Sequence, residues 1–209
     1  MSKRKGKFIT FEGPEGSGKS TQLKKTARYL RSKGCQVVWT REPGGTVIGE
    51  KIRRILLSAG NKDMVLAAEM LLYMAARAQL IEEEIRPALS AGKIVMADRF
   101  LDATIAYQGY AGGLDIGLIK KIGRLAVNNI KPDLTLLFDL PAAKGLSRLK
   151  GDRDRIEQRT IAYHRRVRKG YLALAKQEPK RIKIIPVKGS ADQVYQLVKE
   201  VVDKCLSAG

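Results

Sequence analysis

The run Gly13-Pro14-Glu15-Gly16-Ser17-Gly18-Lys19-Ser20 constrains this chain more than any other feature. It fits G-x-x-x-x-G-K-S, the phosphate-binding P-loop. Phe8-Ile9-Thr10-Phe11 in front is apolar and β-prone, as a buried strand entering the turn. Thr21 to Leu30 behind it carries leucine and alanine at helical spacing. Gly13, Gly16 and Gly18 let the backbone curl until its N–H groups face inward. The helix N-terminus adds its partial positive charge. The stretch Gly13 to Thr21, with Pro14, Glu15 and Ser17 between the glycines, is therefore the candidate cradle for a nucleoside triphosphate. Lys19 can reach the outer phosphates, and the Ser20 hydroxyl can ligate Mg²⁺.

The rest of the chain alternates strand and helix. Strands are expected at Cys35–Thr40, Lys93–Asp98, Leu134–Asp139 and Arg181–Val187, after the one that feeds the P-loop. Between them lie helical patterns. One is short and capped by Thr46; a long one runs from about Val65 to about Ser90; others cover Asp115–Asn129, Ala142 to about Leu149, Ile156 to about Lys176, and a final helix capped by Ser190 or Asp192. Five alternations predict an α/β fold, with a five-stranded parallel sheet flanked by helices. The interruption Lys150-Gly151-Asp152-Arg153-Asp154-Arg155 reads as a mobile lid over about 148–157, because a core strand follows it.

The 209 residues suit one domain, 1–209, and 44% hydrophobic residues make it globular. No apolar run approaches the roughly 20 residues of a membrane span. The basic start, Met1 to Gly6, leads straight into a strand and lacks the apolar core of a signal peptide, so a cytoplasmic location is expected. Cys35 and Cys205 are far apart and read as free thiols. The formal charge of +19 implies anionic partners. Basic density peaks at Arg165-Arg166-Val167-Arg168-Lys169 and around Lys180-Arg181, but no aromatic stacking segment accompanies it. Most of it reads as solvated surface. His164, among these arginines, also reads as surface.

A P-loop leaves the reaction open. Asn61-Lys62-Asp63-Met64 begins like the guanine-reading N-K-x-D of a signalling GTPase, but its fourth residue and its place in the chain are wrong. A nucleic-acid-stimulated ATPase is favoured only by charge. A small-molecule kinase fits the length, the second glycine-rich loop at Arg41–Gly45 and the basic lid.

Further motifs sharpen this choice: T-R-E-P-G-G-T at 40–46, L-L-Y-M-A-A-R-A-Q-L at 71–80 and D-R-F at 98–100. T-I-A-Y-Q-G at 104–109, P-D-L-T-L-L-F-D at 132–139 and D-R-I-E at 154–157 follow. With F-E-G-P-E-G-S-G-K-S at 11–20, the set resembles thymidylate kinase. The resemblance implies the P-loop nucleoside monophosphate kinase fold. It implies transfer of the γ-phosphoryl of ATP, with Mg²⁺, to dTMP, and a homodimer formed through the helix of about 65–90. It implies no membrane and no required nucleic acid. Another pyrimidine monophosphate kinase is the near alternative.

Chemistry and resemblance together assign candidate roles. Arg99, just past a strand end, could grip the acceptor phosphate in a bidentate fork. Asp98 could hold the Mg²⁺ water shell or accept a proton. The acceptor phosphate is already mostly dianionic at neutral pH, which favours the metal role. Tyr73 matches the aromatic that stacks on thymine, and Arg77, one turn on, would donate to a thymine carbonyl. Pro43 and Ile52 resemble an apolar floor, and Arg53 is a further phosphate candidate. Thr104 and Gln108, four apart on one face, would reach the base. Tyr107 would crowd the sugar 2′ position, and Glu15 would approach the 3′-hydroxyl or the metal. Gly16 occupies the position where some relatives carry an arginine, so the catalytic arginine should come from the lid, as in bacterial-type enzymes. Arg153 is the first choice there, ahead of Arg148 and Arg155. The loop Val187–Ala191 would read adenine loosely.

Overall fold

A computed structural model describes residues 6–207. The signal-peptide argument rests on residues 1–5, which lie outside them. Five strands form one parallel sheet: β1 (Lys7–Glu12), β2 (Val37–Arg41), β3 (Ile94–Asp98), β4 (Leu134–Asp139) and β5 (Ile182–Pro186), in the order β2-β3-β1-β4-β5. The three central strands, β3, β1 and β4, are apolar on both faces because helices cover both. Phe8, Ile9 and Phe11 of β1, Val95 and Met96 of β3, and Leu136 and Phe138 of β4 are all buried. β1 and β3 lie side by side with Phe11 opposite Asp98, so the P-loop and Asp98-Arg99 leave the same end of the sheet. Open α/β sheets place ligands at that carboxyl end.

The helices are α1 (Lys19–Ser32), α2 (Val47–Leu57), α3 (Leu66–Leu80), α4 (Arg86–Ser90), α5 (Leu101–Thr104), α6 (Ile116–Val127), α7 (Ala142–Leu146), α8 (Ile161–Gln177) and α9 (Ala191–Ser207). Thr46 caps α2 by accepting from Gly49 N (2.9 Å). Ser190 and Gln193 cap α9 reciprocally, the side chain of each accepting from the backbone N–H of the other. Ser190 is thus the cap rather than Asp192.

The long helix of about 65–90 is one rod with a π-helical turn at Ile81–Ile85 joining α3 to α4. Its apolar faces have an intramolecular explanation. Met70 and Met74 enter the core formed with Tyr107, Tyr163 and Tyr171, whereas Leu80, Ile81 and Ile85 enter a second core with Phe8 and Phe100. Of this rod, Val65 at its start (67%) and Leu71 (52%) are the large, well-exposed apolar residues. A second π-helical stretch, Ile105–Ala111, carries Tyr107 and Gln108. α8 begins at Ile161, not Ile156. The Asp154 carboxylate accepts from the N–H groups of Ile156 and Glu157 (2.8 and 2.9 Å), holding a turn there, and Thr160 then caps the helix. His164 is buried, 1% exposed, edge-on to Tyr163, so the surface reading is corrected. Its arginine neighbours in sequence point elsewhere on the helix and disguised an inward face. No helix among the described residues is long and apolar enough to cross a membrane. Asn61, the decoy of the guanine motif, donates to Ile55 O and closes the end of α2.

Candidate active site

Gly13, Gly16 and Gly18 all have positive φ (142°, 65° and 84°), the conformation that curls the loop. Gly16 has a second constraint. A Cβ there would meet Gly145 O of α7 at 2.1 Å, and a Cβ on Gly145 would meet Glu15 O at 2.1 Å. Loop and helix pack backbone on backbone, which leaves no room for an arginine at position 16. Lys19 is buried and its Nζ donates to Pro14 O (2.9 Å). Burial, seconded by the Arg99 charge, pulls its pKa down to about 8 against the opposing pull of Glu15, Asp98 and Glu12.

Asp98 closes β3 and accepts a hydrogen bond from Ser20 Oγ. A hydroxyl and a carboxylate converging at the mouth of the P-loop suit a hard cation whose other ligands are waters and phosphate oxygens. Among the described residues no three His, Cys, Asp or Glu side chains gather into a metal cage.

Arg99 has φ 73°, an uncommon conformation for a side chain-bearing residue. Its Nη1 donates to Gly13 O and Tyr171 OH (both 3.1 Å), and its Nη2 to Glu15 Oε2 (2.8 Å). The guanidinium also lies over the Tyr107 ring, 4.9 Å from its centroid. Glu15 accepts from Tyr107 OH as well (2.6 Å). Burial alone would raise the Glu15 pKa; the charges of Arg99 and Lys19 and the tyrosine bond outweigh it and hold the carboxyl down at about 2. Glu15 is therefore an anion that bridges the donor loop to Arg99.

The remaining wall comes from β2, α2, α3 and the π-helical stretch. Arg77 is 1% exposed and already engaged: Nε donates to Glu42 Oε2 (2.8 Å), and Nη2 to Phe100 O (3.1 Å) and Thr104 Oγ1 (3.0 Å). Its Nη1 meets only Met74 Sδ, a weak acceptor (3.2 Å), so one guanidinium corner keeps donor capacity. Gln108 donates to buried Glu69 (2.7 Å), and Arg53 donates to Pro43 O (2.9 Å), bracing the second glycine loop. Burial and Glu69 both raise the Tyr73 phenol above its ordinary pKa, so it is neutral.

One cleft of about 370 Å³ joins these parts. Its lining includes the loop from Glu15 to Thr21 together with Pro43, Arg53, Tyr73, Arg77, Asp98, Arg99, Thr104, Tyr107 and Gln108. Gly13 and Pro14 do not line it; their carbonyl oxygens accept from Arg99 and Lys19. Ile52 is half-buried and does not line the cleft; Leu57, one and a half turns on, does.

The lid arginines divide sharply. Arg148 Nη1 donates to Gly16 O of the P-loop (3.3 Å). Arg153 is exposed and outside the cleft wall. Arg155 is buried, with its Nε on Leu56 O (2.8 Å) and Nη1 on Glu69 (2.6 Å). It anchors the lid to α2 and α3, so it is not available as a catalytic arginine. The Val187–Ala191 loop is tied to α1 by Gln22 Nε2 donating to Ala191 O (2.8 Å).

Two buried residues escape a sequence reading. Glu12 (0% exposed) accepts from Phe100 N (2.7 Å) and from Tyr171 OH (2.8 Å). Its signal was present: an acid closing an apolar strand, as Asp98 does. Tyr171 gave none, since its spacing on α8 reads as core. Burial first, then the Asp102 charge, raises the Glu12 pKa to about 8 against the pull of Arg99 and two hydrogen bonds.

The profile of one protein family, Thymidylate kinase, matches residues 11–198. A thymidylate kinase of Syntrophotalea carbinolica is 51% identical over 195 residues, 90% of each chain. One from an Exiguobacterium species is 49% identical over 199 residues, 94% of this chain and 92% of its own. The crystal structure of thymidylate kinase from Ehrlichia chaffeensis matches with a TM-score of 0.79 at 34% identity, covering 95% of this chain and 98% of that one.

Proposed function

The chain belongs to the thymidylate kinase family, and we propose that it transfers the γ-phosphoryl of ATP to the phosphate of dTMP, giving dTDP and ADP. One observation carries the reading: a single cleft is lined both by the P-loop and by Tyr73, Arg99 and Tyr107. Phosphoryl transfer needs two anionic groups brought together and little covalent help from the protein.

The roles follow from the free valences. The P-loop amides and Lys19 hold the triphosphate. Arg99 has five donors and uses three on Gly13, Tyr171 and Glu15. The remaining two, on Nε and Nη2, suit a phosphate fork. The free corner of Arg77 suits a thymine carbonyl, and the Tyr73 ring suits the base. Tyr107, fixed by its bond to Glu15, limits space beside the sugar. Glu15 can still accept from a sugar hydroxyl. Ser20 and Asp98 would hold Mg²⁺, which when bound neutralises charge on the transferring phosphoryl. Asp98 then orients water and metal rather than removing a proton. The lid over about 148–157 supplies the last cation, with Arg153 first. A cytoplasmic location remains part of the proposal and agrees with two free thiols, Cys35 and Cys205.

The test is a coupled assay offering dTMP, dUMP, dCMP and UMP as acceptors with Mg·ATP. The highest kcat/KM is expected for dTMP, with UMP poor because of its 2′-hydroxyl. Preference for UMP would overturn the thymidylate reading within the same fold.

A further inference from the structure

We infer that Glu12 and Tyr171 are positioning residues for Arg99, forming a buried relay that fixes both its strained backbone and the direction of its guanidinium. This rests on the reading of Arg99 as the acceptor-phosphate clamp.

The backbone half comes first. Arg99 sits at φ 73°, which an L side chain rarely adopts unless its neighbours over-determine it. Two hydrogen bonds do so. Arg99 N donates to Phe11 O (3.0 Å), and the next N–H, of Phe100, donates to Glu12 Oε1 (2.7 Å). Phe11 and Glu12 are the last residues of β1, so the end of the P-loop strand grips both sides of the turn. An ordinary αL residue in a loop would have no such carboxyl group under it.

The side-chain half uses the other oxygen. Glu12 Oε2 accepts from Tyr171 OH (2.8 Å), whose oxygen in turn accepts from Arg99 Nη1 (3.1 Å). Gly13 O takes the second Nη1 proton (3.1 Å). Both protons of Nη1 are thereby used, and the Nε–Nη2 edge is the one left for an anion. Without the tyrosine hydroxyl the guanidinium keeps Glu15 and Gly13 O but loses one of the three hydrogen bonds that fix its direction. Tyr171 is 2% exposed and stands on α8, directly after the lid. The relay therefore links the P-loop strand, the acceptor clamp and the helix that carries the lid. A purely structural tyrosine could sit there as phenylalanine with equal packing; the two bonds at its oxygen are what argue otherwise.

The experiment compares Tyr171→Phe, Glu12→Gln, Arg99→Ala and Tyr171→Phe/Arg99→Ala in full kinetics, with dTMP and ATP varied separately. Tyr171→Phe is expected to raise KM for dTMP about tenfold, the scale of one hydrogen bond to a charged group, with KM for ATP unchanged. In the Arg99→Ala background Tyr171→Phe should then add nothing. Glu12→Gln, which keeps an oxygen for Phe100 N, should show the same dTMP-selective change. If Arg99→Ala leaves KM for dTMP unaltered, the clamp reading itself fails. If Arg99→Ala weakens dTMP but Tyr171→Phe does not, or if its effect is additive or falls equally on ATP, the positioning role is overturned and the clamp reading survives.

Discussion

Lys19 is a buried ammonium with a backbone carbonyl and a hydroxyl for company and a guanidinium close by. Its pKa is down at about 8, so a fraction of the resting protein carries it neutral near that pH. A triphosphate placed beside it favours the charged form, which raises the pKa again. ATP binding should therefore take up a proton around pH 8, and affinity should fall as pH rises through the window from 8 upward. Calorimetry in buffers of different ionisation enthalpy reads that uptake directly. Lys19→Met should abolish it and weaken ATP binding by about tenfold or more; uptake that persists in the variant would assign the proton elsewhere. The residues that sequence made legible share a trait: their chemistry is local. Lys19 and Ser20 are fixed by the P-loop motif, and Asp98-Arg99 by a strand ending in charge; Glu15, at a free position of the motif, is legible only through the resemblance. Glu42, which holds Arg77 from the end of β2, and Tyr171, which holds Arg99 from α8, act over sequence separations of 35 and 72 residues. No spacing rule reports such partners, because they are decided by how the layers pack.

At the level of elements, the sheet was the easiest part to read, since parallel strands covered on both faces are continuous apolar runs ended by glycine or charge. Boundaries were lost where side chains compete with the backbone. Asp154 diverts the start of α8 by binding two N–H groups, and neither π-helical turn breaks the apolar pattern that suggests ordinary helix. The lid shows the same logic. Arg148 touches the P-loop at one end and Arg155 is locked to α2 and α3 at the other. Between them lie Gly151, at φ 80° with open space around it, and exposed Arg153. The Gly16–Gly145 contact keeps an arginine out of the P-loop, which leaves 148–157 as the proposed source of the missing cation. Arg153→Ala is accordingly expected to lower kcat about 10³-fold, the scale of an arginine on a transferring phosphoryl, with KM for dTMP little changed. Near-normal turnover in Arg153→Ala with a collapse in Arg148→Ala would move the role to Arg148, which already lies against the loop.

At the scale of the whole molecule, charge and apolar surface pull in opposite directions. Val47 (75% exposed), Ile48 and Ile55 on α2, Leu71 on α3, and Leu118 and Leu125 (83%) on α6 remain uncovered, and α3 packs between α2 and α6. Such a set on adjoining helices favours a second copy of the chain as its cover. Opposing this, two chains of formal charge +19 repel each other. Apolar burial is nearly indifferent to moderate salt, whereas repulsion between exposed charges is screened over about 10 Å at 0.1 M ionic strength and about 3 Å at 1 M. A homodimer through α2, α3 and α6 should therefore tighten as salt rises, the reverse of an association held by ion pairs. Sedimentation at micromolar protein is expected to give twice the chain mass, with the monomer fraction growing as salt is lowered. Leu71→Glu, which would put a charge into that interface, should leave monomers at every salt concentration. A wild-type chain that sediments only as monomer, or a dimer that loosens with salt, would mean that this face is not what joins two copies.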